Sequence, residues 1–291
     1  MLINGILYNS EAWHGIKDAH IVKLEQIDNA LLRGILKAHC KTPTEFLHLE
    51  TGTVPLRWII SQRRINYLRH ILSRSNEELI KKVFLAQREN SSKGDFAQLV
   101  EKDLVDFGIS YENISSGGIT KIKLKTIAEE KAFESLLLKQ KDHSKVRIVK
   151  YDKLKMQPYL KSEGFNQKEA KMLTSLRSNC VRGIRHNFSK MYKDNLKCPL
   201  QCNRELPQED TPDHIMLCPK LSIGSPLQIN QIYGDLPQQQ QVARVFLRLM
   251  TKRTQLLQPP DDTHHQPTGG LVPGPPIQTA SAVRNGYAST Y

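Results

Sequence analysis

Long apolar runs are missing from this chain. No stretch of its 291 residues reaches the roughly 18 consecutive apolar residues of a membrane-spanning helix, so no membrane partner is expected. Acidic residues are few beside the basic ones: 29 Asp and Glu against 42 Lys and Arg, a formal net charge of +13. A surplus of this size disfavours cationic partners and suits phosphates, through counterion release. Cysteines number five, and an odd count disfavours a closed disulfide framework. The opening "MLINGILYNSEAW" is apolar but has neither a basic leading region nor a small-residue cleavage site, so it reads as part of a core and not as a secretory signal. The expected setting is therefore intracellular, nuclear or cytoplasmic, where thiols stay reduced or bind metal.

What is present is mostly helical periodicity, and the expected fold class is mainly α. Ile21, Leu24, Ile27, Leu31 and Ile35 recur at helical spacing. Thr42, Pro43 and Glu45 read as a capped start and Gly52 as the stop of a short helix. After Pro55, the residues Leu56, Ile59, Ile60, Leu68 and Ile71 share a face, with Arg57, Arg63, Arg64 and Arg69 on or beside the other. Residues 1–73 are thus a small helical bundle. A helical connector follows over 74–143, with periodic segments at 76–90, 95–109 and 124–140 and a Ser/Gly-rich turn between the last two. Asn166 with Glu169 predicts a capped helix running to about 194, its buried stripe being Leu173, Leu176, Cys180, Ile184, Phe188 and Met191. A further amphipathic helix is expected in 221–257. Beyond it, 258–291 holds six of the fifteen prolines and no apolar period, and is expected to be disordered.

Positive charge is concentrated just before the densest group of cysteines. Between Lys145 and Lys197 fourteen Lys and Arg meet four Asp and Glu, a net of +10 in 53 residues. Then comes "CPLQCNRELPQEDTPDHIMLCP", in which Cys198, Cys202, His214 and Cys218 stand as two ligand pairs joined by a polar, turn-rich loop. Three thiolates and one imidazole in such pairs suit a tetrahedral zinc ion with every position filled by protein, a structural site. The zinc would add folding energy to a segment too short for a core of its own. The region 144–220 is therefore expected to be a basic helical segment ending in a zinc knuckle. Cys40 and Cys180 read as small core residues, and His264 and His265 as solvated.

The segments "INGILYNSEAW", "LEQIDNALLRGILKAHCKTPTEFLHLETGTVPLRWIISQRRINYLRHIL", "HSKVRIVKYDKLKMQPYL", "DHIMLCP" and "IYGDL", in that order, resemble the region downstream of the catalytic domain in LINE-type, non-LTR retrotransposon reverse transcriptases. The resemblance spans roughly residues 1–257. It implies that the first bundle corresponds to the thumb, which grips the template–primer duplex, and that Cys198, Cys202, His214 and Cys218 correspond to the family's CCHC zinc knuckle, with a complete element-encoded reverse transcriptase as one expected partner. One spacing departs: the family pattern usually has two residues between the first cysteines, whereas Gln201 makes three here. The aromatic-x-Asp-Asp motif of the polymerase palm is absent, and the one Asp-Asp pair, Asp261–Asp262, lies among prolines.

These readings lead to a non-catalytic fragment that binds RNA or DNA. Its expected phosphate contacts are Arg57, Arg63, Arg64, Arg69, Lys153, Lys155, Arg177, Arg182, Arg185, Lys190 and Lys193. Tyr151, Tyr159 and Tyr192 are interleaved with these cations and are candidates for base stacking, with a place in the core as the alternative; Phe188 reads as core. Two other outcomes stay open: a zinc-stapled helical protein-interaction module whose Pro-rich tail recruits partners, and a retroelement relic without function.

Overall fold

The computed structural model describes residues 5–258 apart from 6, 14, 15, 91, 93, 142–150, 186, 188, 193, 194, 204 and 223–227. The fold is mainly α. Its helices are α1 (Asp18–Leu36), α2 (Thr44–Thr51), α3 (Leu56–Leu72), α4 (Leu79–Glu89), α5 (Phe96–Phe107), α6 (Tyr111–Ser115), α7 (Lys121–Lys141), α8 (Gln167–Arg177), α9 (Ser189–Tyr192), α10 (Pro212–Leu217) and α11 (Leu236–Leu257), with short 3-10 turns at Ser10–Ala12, Pro158–Leu160 and Ile229–Tyr233. The described residues hold no β-strand, only one antiparallel bridge between Lys197 and Glu209. The expected disorder of 258–291 concerns residues that, after Gln258, lie outside those described.

Helix α1 packs on both α2 and α3. Leu56 and Ile60 of α3 meet Ile21 of α1 and Leu7, while Leu32 and Leu36 of α1 close on Leu47 of α2. The buried face of α1 is rotated from the expected one. Ile21, Asp28, Leu32 and Leu36 are inside, whereas Ile27 and Ile35 are 51% and 73% exposed. Both stripes have helical spacing, so periodicity alone could not choose between them; the contact with Leu47 does. Helix α2 starts one residue after the expected cap, with Pro43 as N-cap, and stops at Gly52, whose φ of 66° is the left-handed conformation a glycine tolerates.

The C-terminal half of α3 belongs to a larger core. Ile65, Leu68 and Ile71 pack with Phe84 of α4, Val100, Leu104 and Phe107 of α5, Ile114 of α6 and Leu124 and Ala128 of α7. A second large core joins Leu173 and Leu176 of α8 to Val242, Phe246 and Leu249 of α11, and includes Cys198, Ile215 and Cys218. The last helix is thus built into the core that carries the Cys/His cluster. The chain to Leu257 is one compact unit.

Helix α8 corrects an expectation of length. Its start is a full capping box: the Asn166 side chain accepts from the Glu169 amide and the Glu169 side chain accepts from the Asn166 amide. It ends at Arg177, not near 194, because the chain turns at Asn179 (φ 51°) and Gly183 (φ 87°). Leu173, Leu176 and Ile184 are buried as expected, but Met191 is 66% exposed, and Phe188 lies outside the described residues.

A buried polar centre adjoins the second large core, which supplies Tyr159 to it. Glu50, at the C-terminal end of α2, has no exposure to solvent. Its carboxylate accepts hydrogen bonds from Tyr151 Oη (2.6 Å), Tyr159 Oη (2.7 Å) and Arg177 Nε (2.8 Å), and its carbonyl oxygen accepts from the Gln157 amide (2.9 Å). Arg177 donates further to the Ile232 carbonyl and to Gln157 Oε1. One carboxylate thereby ties α2 to the 151–159 segment, α8 and the turn before α11.

Candidate metal centre

A small loop and a short helix present the four metal-ligand candidates. The loop is closed at its base by paired backbone bonds: the Cys198 amide donates to the Gln208 carbonyl (2.9 Å) and the Asp210 amide to the Leu196 carbonyl (2.8 Å). Cys198 and Cys202 flank a turn in which the Gln201 amide donates to the Cys198 carbonyl (3.1 Å). Gln201 itself has a φ of 49°. The residue in excess of the usual two between paired cysteines is taken up by this left-handed step. Helix α10 supplies the other pair. Thr211 caps it by accepting from the His214 amide (3.1 Å), Pro212 occupies its first position, and Cys218 follows its last turn.

The four ligand atoms converge. The three Sγ atoms and a His214 ring nitrogen all lie within 4.8 Å of one another, and Cys202 Sγ is 3.3 Å from His214 Nε2. A tetrahedron with metal–sulfur bonds of about 2.3 Å has sulfur–sulfur edges of about 3.8 Å, so side-chain adjustment of under an ångström or so closes the cluster on an ion. Cys198 and Cys218 are buried, Cys202 and His214 half-buried, and all three thiols are free of disulfides. Burial pushes the Cys198 thiol up to about 11, raises Cys218 in the same direction and lowers the His214 imidazolium. The imidazole is therefore ready as a neutral ligand, while the thiols give up protons only to a metal that compensates the cost. These residues could hold one metal ion, and with four protein ligands they leave no open position for a reacting water.

Two neighbours that sequence reasoning missed lock this loop to the rest of the fold. Asp210, fully buried, accepts two 2.7 Å bonds from Arg253 of α11 and one from the Arg185 amide (2.8 Å). Arg253 also donates to the Gly183 carbonyl (3.0 Å). The partners stand 43 residues apart, a separation at which side-chain pairing leaves no local pattern. Lys220 adds a bond from its Nζ to the Leu200 carbonyl (2.6 Å).

The expected phosphate contacts divide. Lys153, Lys155 and Arg182 are exposed. Arg57 is exposed and paired with Glu25 (3.1 Å). Arg63 donates to the Leu7 carbonyl and the Ser10 hydroxyl, and Arg69 to Asn66 Oδ1 (2.8 Å), both half-buried. Arg185 is occupied by Asn195 and by the Lys197 carbonyl. Two assignments are overturned by burial. Arg64 is 4% exposed and bonds Asp103 through Nε (2.5 Å) and Nη2 (2.8 Å); Arg177 is 3% exposed and bonds Glu50. Neither reaches the surface, because each is neutralised inside a core. Tyr151 and Tyr159 are likewise interior, donating to Glu50 instead of stacking on bases, and Cys40 is exposed where a core place was expected. The Lys190 side chain and Lys193 lie outside the described residues, as do Asp261, Asp262, His264 and His265. No helix among the described residues is long and apolar enough to cross a membrane. Compared with protein-family models, curated proteins and solved structures, the chain matches none.

Proposed function

We propose that this chain is a non-catalytic nucleic-acid-binding fragment of the reverse-transcriptase kind, fastened in its C-terminal half by one structural zinc ion. The observation that carries the reading is the convergence of Cys198, Cys202, His214 and Cys218 within 4.8 Å, inside the core that α11 completes. Thiolate and imidazole are the ligand types zinc prefers, and a closed set of four is the structural form of its sites. The net charge of +13 supports a polyanionic partner, RNA or DNA. Of the expected phosphate contacts, Lys153, Lys155 and Arg182 stand exposed and are taken to meet it, whereas Arg64 and Arg177 are spent on buried carboxylates. A complete reverse transcriptase would supply whatever polymerase chemistry acts beside it.

The test is titration of the zinc-loaded full chain with labelled single-stranded RNA, single-stranded DNA and duplex at several salt concentrations. Affinity should fall steeply with salt, and replacing Lys153, Lys155 and Arg182 together by alanine should flatten the log–log slope by about 2, close to 0.7–0.9 per lost phosphate contact. Salt-independent binding, an unchanged slope, or sustained nucleotide incorporation by the chain alone would each contradict the proposal.

A further inference from the structure

Helix α1 carries two apolar stripes, and the fold buries only one of them. Leu24, Ile27, Leu31 and Ile35 form the other, spaced at helical intervals and turned away from the buried Ile21, Leu32 and Leu36. Ile27 and Ile35 are exposed, as are Ala30 and Gly34 beside them, and a Cβ on Gly34 would have nothing within 4 Å. At its N-terminal end the stripe borders a groove of about 670 Å³, walled by Ala12, Trp13 and Ile16 and by Leu24 and Ile27. We infer that this face is a docking site for an amphipathic helix of a protein partner, one whose apolar stripe is flanked by acidic residues. The inference goes beyond the nucleic-acid reading and does not depend on it.

Shape selects a helix. Trp13, Ile16 and Leu24 are half-buried, packed on the core of Leu7, Ile21, Leu56 and Ile60, so the walls of the groove are fixed from behind. A ridge of apolar side chains from a partner helix fills such a concave site, whereas a flat bilayer surface leaves it empty. Further along α1, Ala30 and Gly34 let a second helix approach closely, while Ile27 and Ile35 supply the bulk that enters its grooves. From Leu24 to Ile35 the stripe runs about 17 Å, or three turns, the span of an i, i+4, i+7 set of anchors on the partner.

Charge selects the partner's flanks. The carboxylates of α1 are engaged within the fold: Asp28 is buried, Glu25 accepts from Arg57 (3.1 Å), and Asp18 stands 3.9 Å from Lys102. Lys17 at the N-cap, Lys23 beside the stripe and Lys37 at the C-cap are exposed, and no carboxylate lines the groove. An apolar stripe bordered by lysines attracts acidic flanks and repels basic ones. The same charges disfavour a second copy of this chain. A parallel pair of α1 helices sets Lys23 against Lys23, and an antiparallel pair centred on Ala30 sets Lys23 against Lys37.

The experiment titrates three labelled helical peptides of about 18 residues with the full chain, read by fluorescence anisotropy. The peptides share one leucine stripe and differ only in its flanks, which are glutamate, glutamine or lysine. Affinity should rank glutamate over glutamine over lysine, with about tenfold between the extremes at low salt and less at high salt. Ile27→Gln with Ile35→Gln alters two exposed side chains and should weaken the glutamate peptide at least about tenfold while thermal unfolding is unchanged. Lys23→Glu with Lys37→Glu should reverse the ranking. No binding by any peptide, a flat ranking, or full affinity in the Ile27→Gln, Ile35→Gln variant would overturn the proposal. So would a homodimer in sedimentation, or adsorption to phosphatidylserine vesicles, that this same variant abolishes, since either assigns the face to a different occupant.

Discussion

A carboxylate with no access to water must be met by donors, and Glu50 is met by three: Tyr151, Tyr159 and Arg177. Replacing it by glutamine leaves the Arg177 guanidinium buried without a counter-charge, which should cost about 3–5 kcal/mol in denaturant unfolding. Removing both charges at once, as Glu50→Gln with Arg177→Met, should recover a large part of that loss; a double variant as damaged as the sum of the singles would sink the coupling. None of this was legible beforehand. Arg177 sits on a helix whose spacing allowed it to be solvated, and its partner lies 127 residues away. Arg64 was misplaced for the same reason, with Asp103 39 residues distant. Asp28 is the opposite case, a buried carboxyl on α1 whose pKa is raised by burial and then by the charge of Glu25. A raised folded pKa means that its protonated form favours the fold below the usual carboxylate value of 3.8, and that this contribution is lost as pH climbs through the folded value. Asp28→Asn should therefore raise the melting temperature by a few degrees, on the order of 1 kcal/mol, at pH 7 and by less near pH 4; an equal gain at both pH values would contradict this.

At the scale of elements, local rules sufficed where only local rules were needed. The helices over 79–89, 96–107 and 121–141, the capping box of α8 and the stop at Gly52 follow from periodicity and end signals. They failed where two local solutions competed and a tertiary contact decided, as with the two apolar stripes of α1 or the turn that ends α8 ahead of its sequence pattern. Gly52 shows both levels in one residue. Its positive φ closes α2, and a Cβ there would stand 2.1 Å from the Met156 nitrogen, since the 155–156 backbone crosses directly above it. Gly52→Ala should consequently cost at least about 2 kcal/mol, more than loss of the left-handed cap alone. A change of a few tenths would mean that this crossing is not held in solution. The metal-ligand pairs were the most legible element of the chain, because ligand spacing is a local property; the buried Asp210–Arg253 clamp that sets their loop against α11 was not.

For the whole molecule, metal and core are one problem. Cys198 and Cys218 belong to the same apolar cluster as Leu173, Val242 and Phe246, so an ion that gathers the thiolates also fixes the packing of α8 and α11. Chelation should lower the unfolding midpoint and expose apolar surface from this core first, while the core around Phe84, Val100 and Phe107 melts later, as seen by hydrogen exchange. Simultaneous loss of protection in both cores would show that the ion governs the fold as a whole. The most direct measurement is zinc per chain by native mass spectrometry on the intact protein, beside Cys218→Ser. One zinc in the wild type and none in the variant is the expected result. A wild type that carries no zinc, or a variant that keeps it, would contradict the assignment of Cys198, Cys202, His214 and Cys218 as a metal centre.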